Sequence, residues 1–255
     1  MNEPQYKETF VELYKDNNFA EAYEKTFSKQ HFDAVLTLWW SNNYGNAITN
    51  YALYTKLKAM GYNVLAIDSL GVKPRYQFVE FANKYFELSS KYYPMGNKKY
   101  IIDSSENFIV GSDQVWNKTF SMVLNHSGYF QLKFVPDNKN KVSYGSSFGQ
   151  TSDAIEDSKL DYYKELYKRF NAVSTREKFG VNVMRELFDV KASYVLDPVF
   201  LLNKDEYMEL ASKANVKQDK KYIVSYILTP TKEKRELLEN ELSDVITRLG
   251  QLMIR

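Results

Sequence analysis

The sequence predicts an α/β fold built on a Rossmann-like parallel sheet. Short apolar runs at 34–40, 64–68 and 108–110 have the composition of strands that are buried on both faces. Stretches with the apolar spacing of helices lie between these runs, and small polar residues follow the runs where the chain must turn. Strands that alternate with helices in this way are typical of parallel sheets.

Length and composition limit what the chain can be. A chain of 255 residues, 44% of them hydrophobic, can form one large domain, or one domain and part of a second. The sequence contains no cysteine, which excludes disulfides, Cys-ligated zinc and thiol catalysis. The net charge of +2 does not favour nucleic acid or an acidic membrane surface as the main partner. No apolar run is long enough to span a bilayer, so we expect a soluble, cytoplasmic protein without an integral membrane segment.

A strand–helix–strand unit opens the predicted sheet. The strand at 34–40 is followed by a helix at 47–60 and by the strand at 64–68, and Gly61 ends the helix. Helical spacing predicts one inward helix face that contains Ile48, Tyr51, Ala52 and Thr55.

The polar loop at 41–46 is the first candidate binding element. A tight turn from a strand into a helix directs backbone N–H groups and the positive helix end at whatever lies above the sheet. Gly45 permits close approach, and Asn43 and Asn46 add side-chain donors, which suits an anion or a sugar. The loop lacks the Gly-x-Gly-x-x-Gly dinucleotide pattern. The alternative is that Asn46 only caps the helix.

The stretch 107–117 holds the central candidate residue. The strand at 108–110 ends at Gly111, and Ser112, Asp113 and Gln114 follow where the backbone must turn. In open α/β sheets ligands bind beyond the carboxyl ends of the strands, so the Asp113 carboxylate can accept a proton or bind a hydroxyl there. In the alternative interpretation Asp113 is a turn residue that caps a helix, and Trp116 fills the core.

Further segments continue the same pattern. We predict a helix at 77–88, an irregular loop at 91–105, an excursion near the site at 119–137, a strand at 141–144, a helix at 158–170 and a short strand at 172–174. The small residues at 145–149, which include Ser146 and Ser147, form a second loop at a strand's carboxyl end, where backbone donors could face an anion.

Arg176 follows the strand at 172–174 and is therefore a third polar group at the same edge. The guanidinium geometry suits a phosphate or carboxylate in a two-point contact. The alternative is a surface pair between Arg176 and Glu177, which is worth little. We expect Asn43, Asp113 and Arg176 to lie along one rim of the sheet.

The chain is predicted to contain one domain and the start of another. Helical spacing at 6–29 predicts a helical N-terminal extension over residues 1–30, and residues 31–213 form the main domain. That domain ends with a strand at 194–196, a turn pinned by Asp197 and Pro198, and a helix beginning near Lys204. Residues 214–255 contain a linker, a strand at 222–228 and a helix at 232–249. One strand and one helix cannot bury a core, so this second α/β domain is incomplete.

Five motifs follow one another along the sequence. They are Asn43-Tyr44-Gly45-Asn46 with Asn50-Tyr51-Ala52-Leu53, Val110-Gly111-Ser112-Asp113-Gln114-Val115-Trp116-Asn117, Ser143-Tyr144-Gly145-Ser146-Ser147-Phe148-Gly149, Ser174-Thr175-Arg176-Glu177, and Val195-Leu196-Asp197-Pro198-Val199-Phe200-Leu201-Leu202. In this order they resemble the polysaccharide pyruvyl transferase family. The resemblance implies a glycosyltransferase-B-like architecture of two Rossmann-like halves, of which this chain holds the N-terminal half and a truncated second domain.

The resemblance also implies an activity. Family members transfer a pyruvyl group from phosphoenolpyruvate to two hydroxyls of a sugar, forming a cyclic ketal in a polysaccharide such as an exopolysaccharide or in its precursor. An acid must protonate the methylene carbon, a base must take the hydroxyl protons, and cations must hold the carboxylate and the departing phosphate. No metal and no cofactor is expected, because arginine and helix ends can neutralise the charge. Phosphoenolpyruvate and a sugar acceptor are the expected partners.

The same resemblance assigns roles to residues. Arg176 becomes the anchor for phosphoenolpyruvate, and Asp113, flanked by Ser112 and Gln114, becomes the base or the ligand of the sugar hydroxyl. The segment Asn43-Tyr44-Gly45-Asn46 becomes a wall of the acceptor or anion site, and Ser146 and Ser147 are weaker candidates. The family places further phosphoenolpyruvate contacts, including a His and an Arg, in the second half, which this chain lacks. His31 and His126 lie outside the motifs and are interpreted as incidental.

Two alternatives stay open from the sequence. The first is a glycosyltransferase that uses a nucleotide-sugar on the same two-domain fold, since a fold alone does not determine chemistry. The second is a truncated, non-catalytic relative that only binds a sugar or a protein. The sequence leaves open the acceptor sugar, whether that sugar is free, lipid-linked or polymeric, and the oligomeric state.

Overall fold

The computed structural model describes residues 32–38, 42–67, 75–89, 98–117, 128–149, 159–214 and 231–249. The predicted helices at 6–29, the predicted strand at 222–228 and both histidines lie outside these residues. The chain divides into two compact units, Met1–Asn203 and Lys204–Arg255. No helix within the described part of the chain is both long enough and apolar enough to cross a membrane.

The first unit contains a parallel sheet, as predicted. Its strands are β1 (Phe32–Leu36), β2 (Val64–Ala66), β3 (Ser105–Val110) and β4 (Asn140–Ser143), in the order β2-β1-β3-β4. A parallel pair, β5 (Ser174–Thr175) and β6 (Ser193–Tyr194), lies beside them. Bridges from Val142 to Ala172 and from Ser146 to Thr175 join this pair to β4, so parallel pairing continues across both sheets.

The strand order changes direction at β1. Ala34 in β1 is paired with Leu65 of β2 on one side and with Phe108 of β3 on the other. All three side chains are buried, which matches the apolar runs in the sequence. The chain therefore leaves β1 towards β2 and returns on the other side at β3. In doubly wound sheets this switch point opens a crevice beyond the carboxyl ends of the two strands.

Helices connect the strands of the first unit. They are α1 (Tyr44–Ala59), α2 (Tyr76–Tyr85), α3 (Lys98–Ser104), α4 (Leu160–Tyr167) and α5 (Lys178–Phe188), followed by a 3₁₀ helix (Pro198–Leu201). In the second unit the structure describes α6 (Lys204–Ser212) and α7 (Lys232–Leu249). The predicted helices near Lys204 and at 232–249 are confirmed.

The N-terminus of α1 differs from the prediction. The helix begins at Tyr44 rather than at 47, because Asn43 is extended and its Oδ1 accepts a hydrogen bond of 2.8 Å from the Gly45 N–H. Asn43 is therefore the cap, and the interpretation of Asn46 as the cap is wrong. Tyr44, Gly45 and Asn46 form the first helical turn instead of a loop.

The buried face of α1 also differs from the expected apolar stripe. Ala52 is buried as predicted, but the predicted members Ile48, Tyr51 and Thr55 are only partly buried. The fully buried positions include the polar residues Thr49 and Asn50. Hydropathy spacing could not find this face, because its inward side chains near the helix start are polar.

Two other boundaries were wrong. The predicted loop at 91–105 contains α3 within its described part. The helix predicted at 77–88 ends at Tyr85, since Phe86 is extended and Leu88 forms a parallel bridge with Ala66 of β2. Sheet pairing therefore ended the helix at a point where local spacing still favoured it.

Trp116 lies at the centre of the core, as the alternative interpretation of stretch 107–117 predicted. Its side chain is 1% exposed and its Nε1 donates a hydrogen bond of 3.0 Å to the Phe130 carbonyl oxygen. The Tyr167 ring packs edge-on at 4.9 Å. The described part of the predicted excursion at 119–137 therefore packs into the core, with Leu132 and Val135 also buried.

Candidate functional site

The exit of β3 forms the candidate site at the carboxyl edge of the sheet. Gly111 has a φ of 121°, and a Cβ placed there would lie 2.2 Å from the Tyr144 carbonyl oxygen, so only glycine fits. The peptide bond from Gly111 to Ser112 is cis. The close approach of the β3 and β4 exits places Asp113 beside the loop 145–149, and Asp113 forms a parallel bridge with Ser146.

Asp113 is held firmly on one side of its carboxylate. Its backbone is left-handed, with a φ of 78°, and its Oδ1 accepts a 2.8 Å hydrogen bond from the Gln114 N–H. The same Oδ1 accepts a second bond of 2.8 Å from Nη2 of Arg176. The Oδ2 atom accepts no hydrogen bond from any described residue, and the side chain is 20% exposed. Asp113 is thus oriented by one oxygen and can accept a hydrogen bond at the other.

Arg176 contacts three carboxylates. Its Nη2 donates to Asp113 and its Nη1 donates to Asp197 Oδ2, both at 2.8 Å. Its Nε donates to Glu177 Oε1 at 3.1 Å, which is the pair that the sequence alternative proposed. Burial alone would lower the pKa of Arg176, but the charge of Asp113 and the hydrogen bond and charge of Asp197 outweigh burial and raise it.

The charge of this cluster matters for any ligand. One guanidinium faces three carboxylates, so the formal net charge of the four side chains is −2 when all are ionised. Arginine has five N–H donors, and three of them donate to these carboxylates, so two have no acceptor within the part of the chain that the structure describes. This arrangement suits the binding of hydroxyl groups. The net negative charge repels an anion, so an anion would bind here only with further positive charge close by.

Asp197 also belongs to this cluster, although the sequence predicted it only as a turn residue. It caps the 3₁₀ helix, since its Oδ1 accepts a 3.0 Å bond from the Val199 N–H. The same oxygen accepts a 3.3 Å bond from Thr49 Oγ1 of α1. Burial raises the pKa of Tyr144, and the charge of Asp197 raises it further. A signal was present, because Asp197 follows β6, which pairs in parallel with β5, just as Arg176 follows β5 and Asp113 follows β3.

Backbone N–H groups of the loop 145–149 donate to neighbouring segments of the protein. The Gly145 N–H donates to Ser174 Oγ at 3.1 Å, and the Ser147 N–H donates to the Asp113 carbonyl oxygen at 2.9 Å. Ser146 and Ser147 are fully buried, and their hydroxyls bond Val110 and Gly149 respectively. These two serines support the loop and do not face an open surface in this structure.

Ser112 and Gln114, which were also predicted as site residues, form hydrogen bonds within the protein. The buried Ser112 hydroxyl donates to the Gly145 carbonyl oxygen at 3.1 Å. Gln114 Oε1 accepts a 2.7 Å bond from Asn117 Nδ2. Ser112 and Gln114 therefore hold the turn around Asp113.

The first turn of α1 lies at the same edge. Thr49 bonds Asp197, and Gly45 and Asn46 precede Thr49 by four and three positions, which places them one turn nearer the helix start on the same side. Tyr44 is 57% exposed, and its ring contacts that of Phe78 at 5.1 Å. Of the three residues expected on one rim, Asp113 and Arg176 are therefore in contact, and α1, which Asn43 caps, is joined to them through Thr49 and Asp197.

Separate hollows lie away from this cluster. Two open hollows, of about 450 and about 300 Å³, lie beside the C-terminal end of α5 and share Asp189, Val190 and Lys191. They are shallow and contain no carboxylate cluster, so we do not assign the site to them. Within the described residues no three His, Asp or Glu side chains are arranged to hold a metal ion.

Comparison with known families agrees with the geometry. The family model described as polysaccharide pyruvyl transferase matches residues 43–246, which include every residue of the cluster. A search of curated proteins gave no match, and a search of solved structures gave none either. The match covers most of the sequence and all five motifs. The chain therefore belongs to the polysaccharide pyruvyl transferase family.

Proposed function

We propose that the protein transfers the pyruvyl group of phosphoenolpyruvate to two hydroxyls of a sugar in a polysaccharide or its precursor, forming a cyclic ketal. The observation that carries this proposal is the Asp113 carboxylate, fixed at Oδ1 and unpartnered among the described residues at Oδ2, at the switch point of the sheet. Membership of the family supplies the reaction class. The reaction requires a base that can receive hydroxyl protons at a defined position, and a carboxylate held in one orientation can serve as that base.

The proposed reaction balances without a cofactor. One hydroxyl adds to C2 of phosphoenolpyruvate while a proton joins the methylene carbon, which becomes a methyl group. The C2–O bond to phosphate then breaks, and the second hydroxyl attacks C2 to close the ketal. The diol loses two hydroxyl protons in total. The new methyl group gains one proton, and the released phosphate gains the other. Asp113 Oδ2 is the proposed acceptor of the hydroxyl protons.

Arg176 has two parts in this proposal. It orients Asp113 through the 2.8 Å bond from Nη2, and its two unused N–H groups are the proposed contact with the donor's carboxylate or phosphate. The three surrounding carboxylates oppose an anion, so further cations are needed for tight donor binding. The first turn of α1, with Asn43 at its cap and the exposed Tyr44, is the proposed wall of the acceptor site.

The wider context is part of the same proposal. We propose that the first unit is the N-terminal half of a glycosyltransferase-B-like architecture and that a second α/β domain begins after residue 213. The acceptor is a sugar diol, whether free or lipid-linked. The cytoplasmic location and the absence of a cofactor stay predictions.

The test is a direct assay of transfer. We expect the complete enzyme, with its second half present, to release inorganic phosphate from phosphoenolpyruvate in the presence of a panel of sugar diols and to produce an acid-labile ketal detected by mass spectrometry. Parallel calorimetric titrations with phosphoenolpyruvate and with nucleotide-sugars separate this function from the nucleotide-sugar alternative. Heat from nucleotide-sugars alone, without ketal formation, would replace our proposal with a glycosyltransferase.

A further inference from the structure

We propose that Asp197 is a positioning residue of the candidate site: by holding Arg176 it sets the orientation of Asp113, and by binding Thr49 it joins α1 to the same network. The network runs from Thr49 Oγ1 to Asp197 Oδ1 at 3.3 Å, from Asp197 Oδ2 to Arg176 Nη1 at 2.8 Å, and from Arg176 Nη2 to Asp113 Oδ1 at 2.8 Å. Its catalytic consequence rests on the proposed function, whereas its structural part does not.

The shape of the guanidinium links the two aspartates. The Nη1 and Nη2 atoms belong to one rigid plane, so a movement at one end changes the direction in which the other end donates. Asp197 and Asp113 occupy these two ends. Side chains of this length have several rotamers, and a carboxylate at each end removes most of them. Asp113 therefore keeps its Oδ1 contact because Asp197 keeps Arg176 in place.

Capping alone does not account for Asp197. The cap of the 3₁₀ helix needs only Oδ1, which accepts from the Val199 N–H at 3.0 Å. The second oxygen, Oδ2, points to Arg176, and both side chains are only 22% exposed. An ion pair with this much burial is screened less by water than a surface pair.

Glu177 does not duplicate Asp197. It contacts Nε of Arg176 at 3.1 Å, on the side of the guanidinium nearest the side-chain stem, and it is the next residue in the chain. It therefore moves with Arg176 and cannot fix it against the rest of the protein. Asp197 is 21 residues away in the sequence and belongs to a separate element, so it can fix Arg176 against the rest of the protein.

The contact with Thr49 extends the network to α1. Thr49 lies 148 residues from Asp197 in the sequence, and α1 packs against the 3₁₀ helix that Asp197 caps. The helix whose first turn forms the proposed acceptor wall is thus attached to the group that orients Asp113. We infer that Asp197 fixes the position of the first turn of α1, the proposed wall of the acceptor site, relative to the Asp113 carboxylate.

The first experiment needs no substrate. Asp197→Asn keeps the size of the side chain but has one acceptor oxygen, so it cannot serve both Arg176 and the helix cap. Urea unfolding of the full chain is measured for Asp113→Ala, which removes the acceptor for Arg176, for Asp197→Asn and for the double variant, and the three variants are repeated with Arg176→Gln. We expect the losses in urea midpoint to be less than additive with Arg176 present and additive without it.

Other patterns in this cycle would overturn the proposal. Additive losses in both backgrounds mean that Asp197 and Asp113 act independently. A larger effect of Asp113→Ala in the Asp197→Asn protein means that the two carboxylates compete for Arg176 rather than cooperate. Asp197→Ser provides a second route if Asp197→Asn does not fold, because serine keeps the cap but is too short to reach Arg176.

The second experiment uses the transfer reaction. We expect Asp197→Asn to lower kcat by about tenfold or more, and we expect the double variant with Asp113→Asn to be no slower than Asp113→Asn by more than about threefold. The matched control is Asp137→Asn, which removes an Asp–Arg pair of 2.6 Å with Arg169 in the turn before β4 and leaves kcat within about twofold.

The two proposals can fail separately. If Asp197→Asn folds and turns over like the control, Asp197 is only a helix cap. If the wild-type protein transfers no pyruvyl group to any acceptor but the unfolding cycle shows the expected coupling, the proposed function fails and the positioning role stands.

Discussion

At the scale of single residues, the site is defined by which atoms are already occupied. Asp113 is held at Oδ1 and accepts nothing at Oδ2 from the described residues, so Oδ1 orients the carboxylate and Oδ2 is the atom to which we assign the proposed proton transfer. Two of the five N–H groups of Arg176 have no partner among the described residues, and these are the groups that we propose for the donor. Ser146 and Ser147 differ from them, because both are buried and each hydroxyl forms a hydrogen bond with the backbone.

Arg176→Ala tests the central cation. We expect kcat/KM for phosphoenolpyruvate to fall by about 100-fold or more, because the variant loses both the charge near the donor and the orientation of Asp113. Arg176→Lys is the control for charge alone. A lysine ammonium is a single point that cannot hold two carboxylates in one plane, so we expect it to recover at most about a tenth of the activity. Wild-type turnover of Arg176→Ala at low phosphoenolpyruvate would show that the anchor assignment is wrong.

Asp113→Asn tests the proposed base. The amide keeps an oxygen for Arg176 and the Gln114 N–H but cannot accept a proton, so we expect kcat to fall by about 100-fold or more. The KM for phosphoenolpyruvate should change by less than about threefold if Asp113 serves the acceptor. Steady-state kinetics with both substrates varied makes the distinction. A rise in the donor KM with unchanged kcat would reassign Asp113 to donor binding.

At the scale of secondary-structure elements, the site depends on how closely the strand exits approach one another. The exits of β3, β4 and β5 are joined by the bridges from Asp113 to Ser146 and from Ser146 to Thr175. Gly145 belongs to the same contact, since a Cβ placed on it would lie 3.4 Å from Ser112 Oγ and 3.8 Å from Arg176 Cβ. The three segments therefore position Asp113 and Arg176 as one unit.

Gly111→Ala tests this close approach. Its Cβ would lie 2.2 Å from the Tyr144 carbonyl oxygen at a φ of 121°, and neither backbone segment can move without disturbing the sheet. We expect a loss of about 3 kcal/mol or more in the free energy of unfolding, or failure to fold. Gly61→Ala is the matched control, because Gly61 also has a positive φ, 93°, but nothing lies within 4 Å of the added methyl group. The free energy of unfolding of this variant should fall by about 1 kcal/mol. Urea titrations of both proteins provide the comparison, and equal losses would show that backbone strain alone accounts for Gly111.

At the scale of the whole molecule, the two edges of the sheet have different electrostatics. The carboxyl edge carries the Arg176 cluster, and the opposite end of β4 carries a buried lysine, Lys141. The Lys141 Nζ donates to the carbonyl oxygens of Pro136 and Lys139 at 2.6 and 3.2 Å and lies 3.8 Å from Asp137 Oδ1. Burial lowers the pKa of Lys141, and the charge of Arg169 lowers it further, while Asp137 opposes both.

This lowered pKa predicts how stability depends on pH. A lysine with a lower pKa in the folded protein binds fewer protons there than in the unfolded chain, over the pH range between the folded pKa and the ordinary value of 10.5. Its contribution to stability is therefore full above 10.5 and is lost as the pH falls through the folded pKa. We expect wild-type protein to gain stability relative to Lys141→Met as the pH rises from neutral towards 10. Urea unfolding at several pH values measures this, and parallel curves for the two proteins would contradict it.

Much of this architecture could be predicted from local sequence. Apolar runs identified β1, β2 and β3, because strands buried on both faces need continuous apolar residues. The strand predicted at 141–144 is confirmed as β4, although it contains no apolar run. The same local logic found Asp113 and Arg176, since both directly follow a strand and parallel strands bring their carboxyl ends to one edge. Two boundaries were missed where a tertiary contact overruled local spacing. The bridge of Leu88 to Ala66 shortened α2, and the side chain of Asn43 lengthened α1.

The sequence by itself determined the parallel sheet, the positions of its strand exits, the residue types at those exits and the resemblance to the family. Only the tertiary structure decided which of those residues touch. Arg176 contacts Asp113 and Asp197 across 63 and 21 residues of chain, and Thr49 reaches Asp197 across 148. The physical reason is that strand-forming and helix-forming preferences act between near neighbours, whereas hydrogen bonds between distant side chains exist only after the sheet has brought the strand ends together.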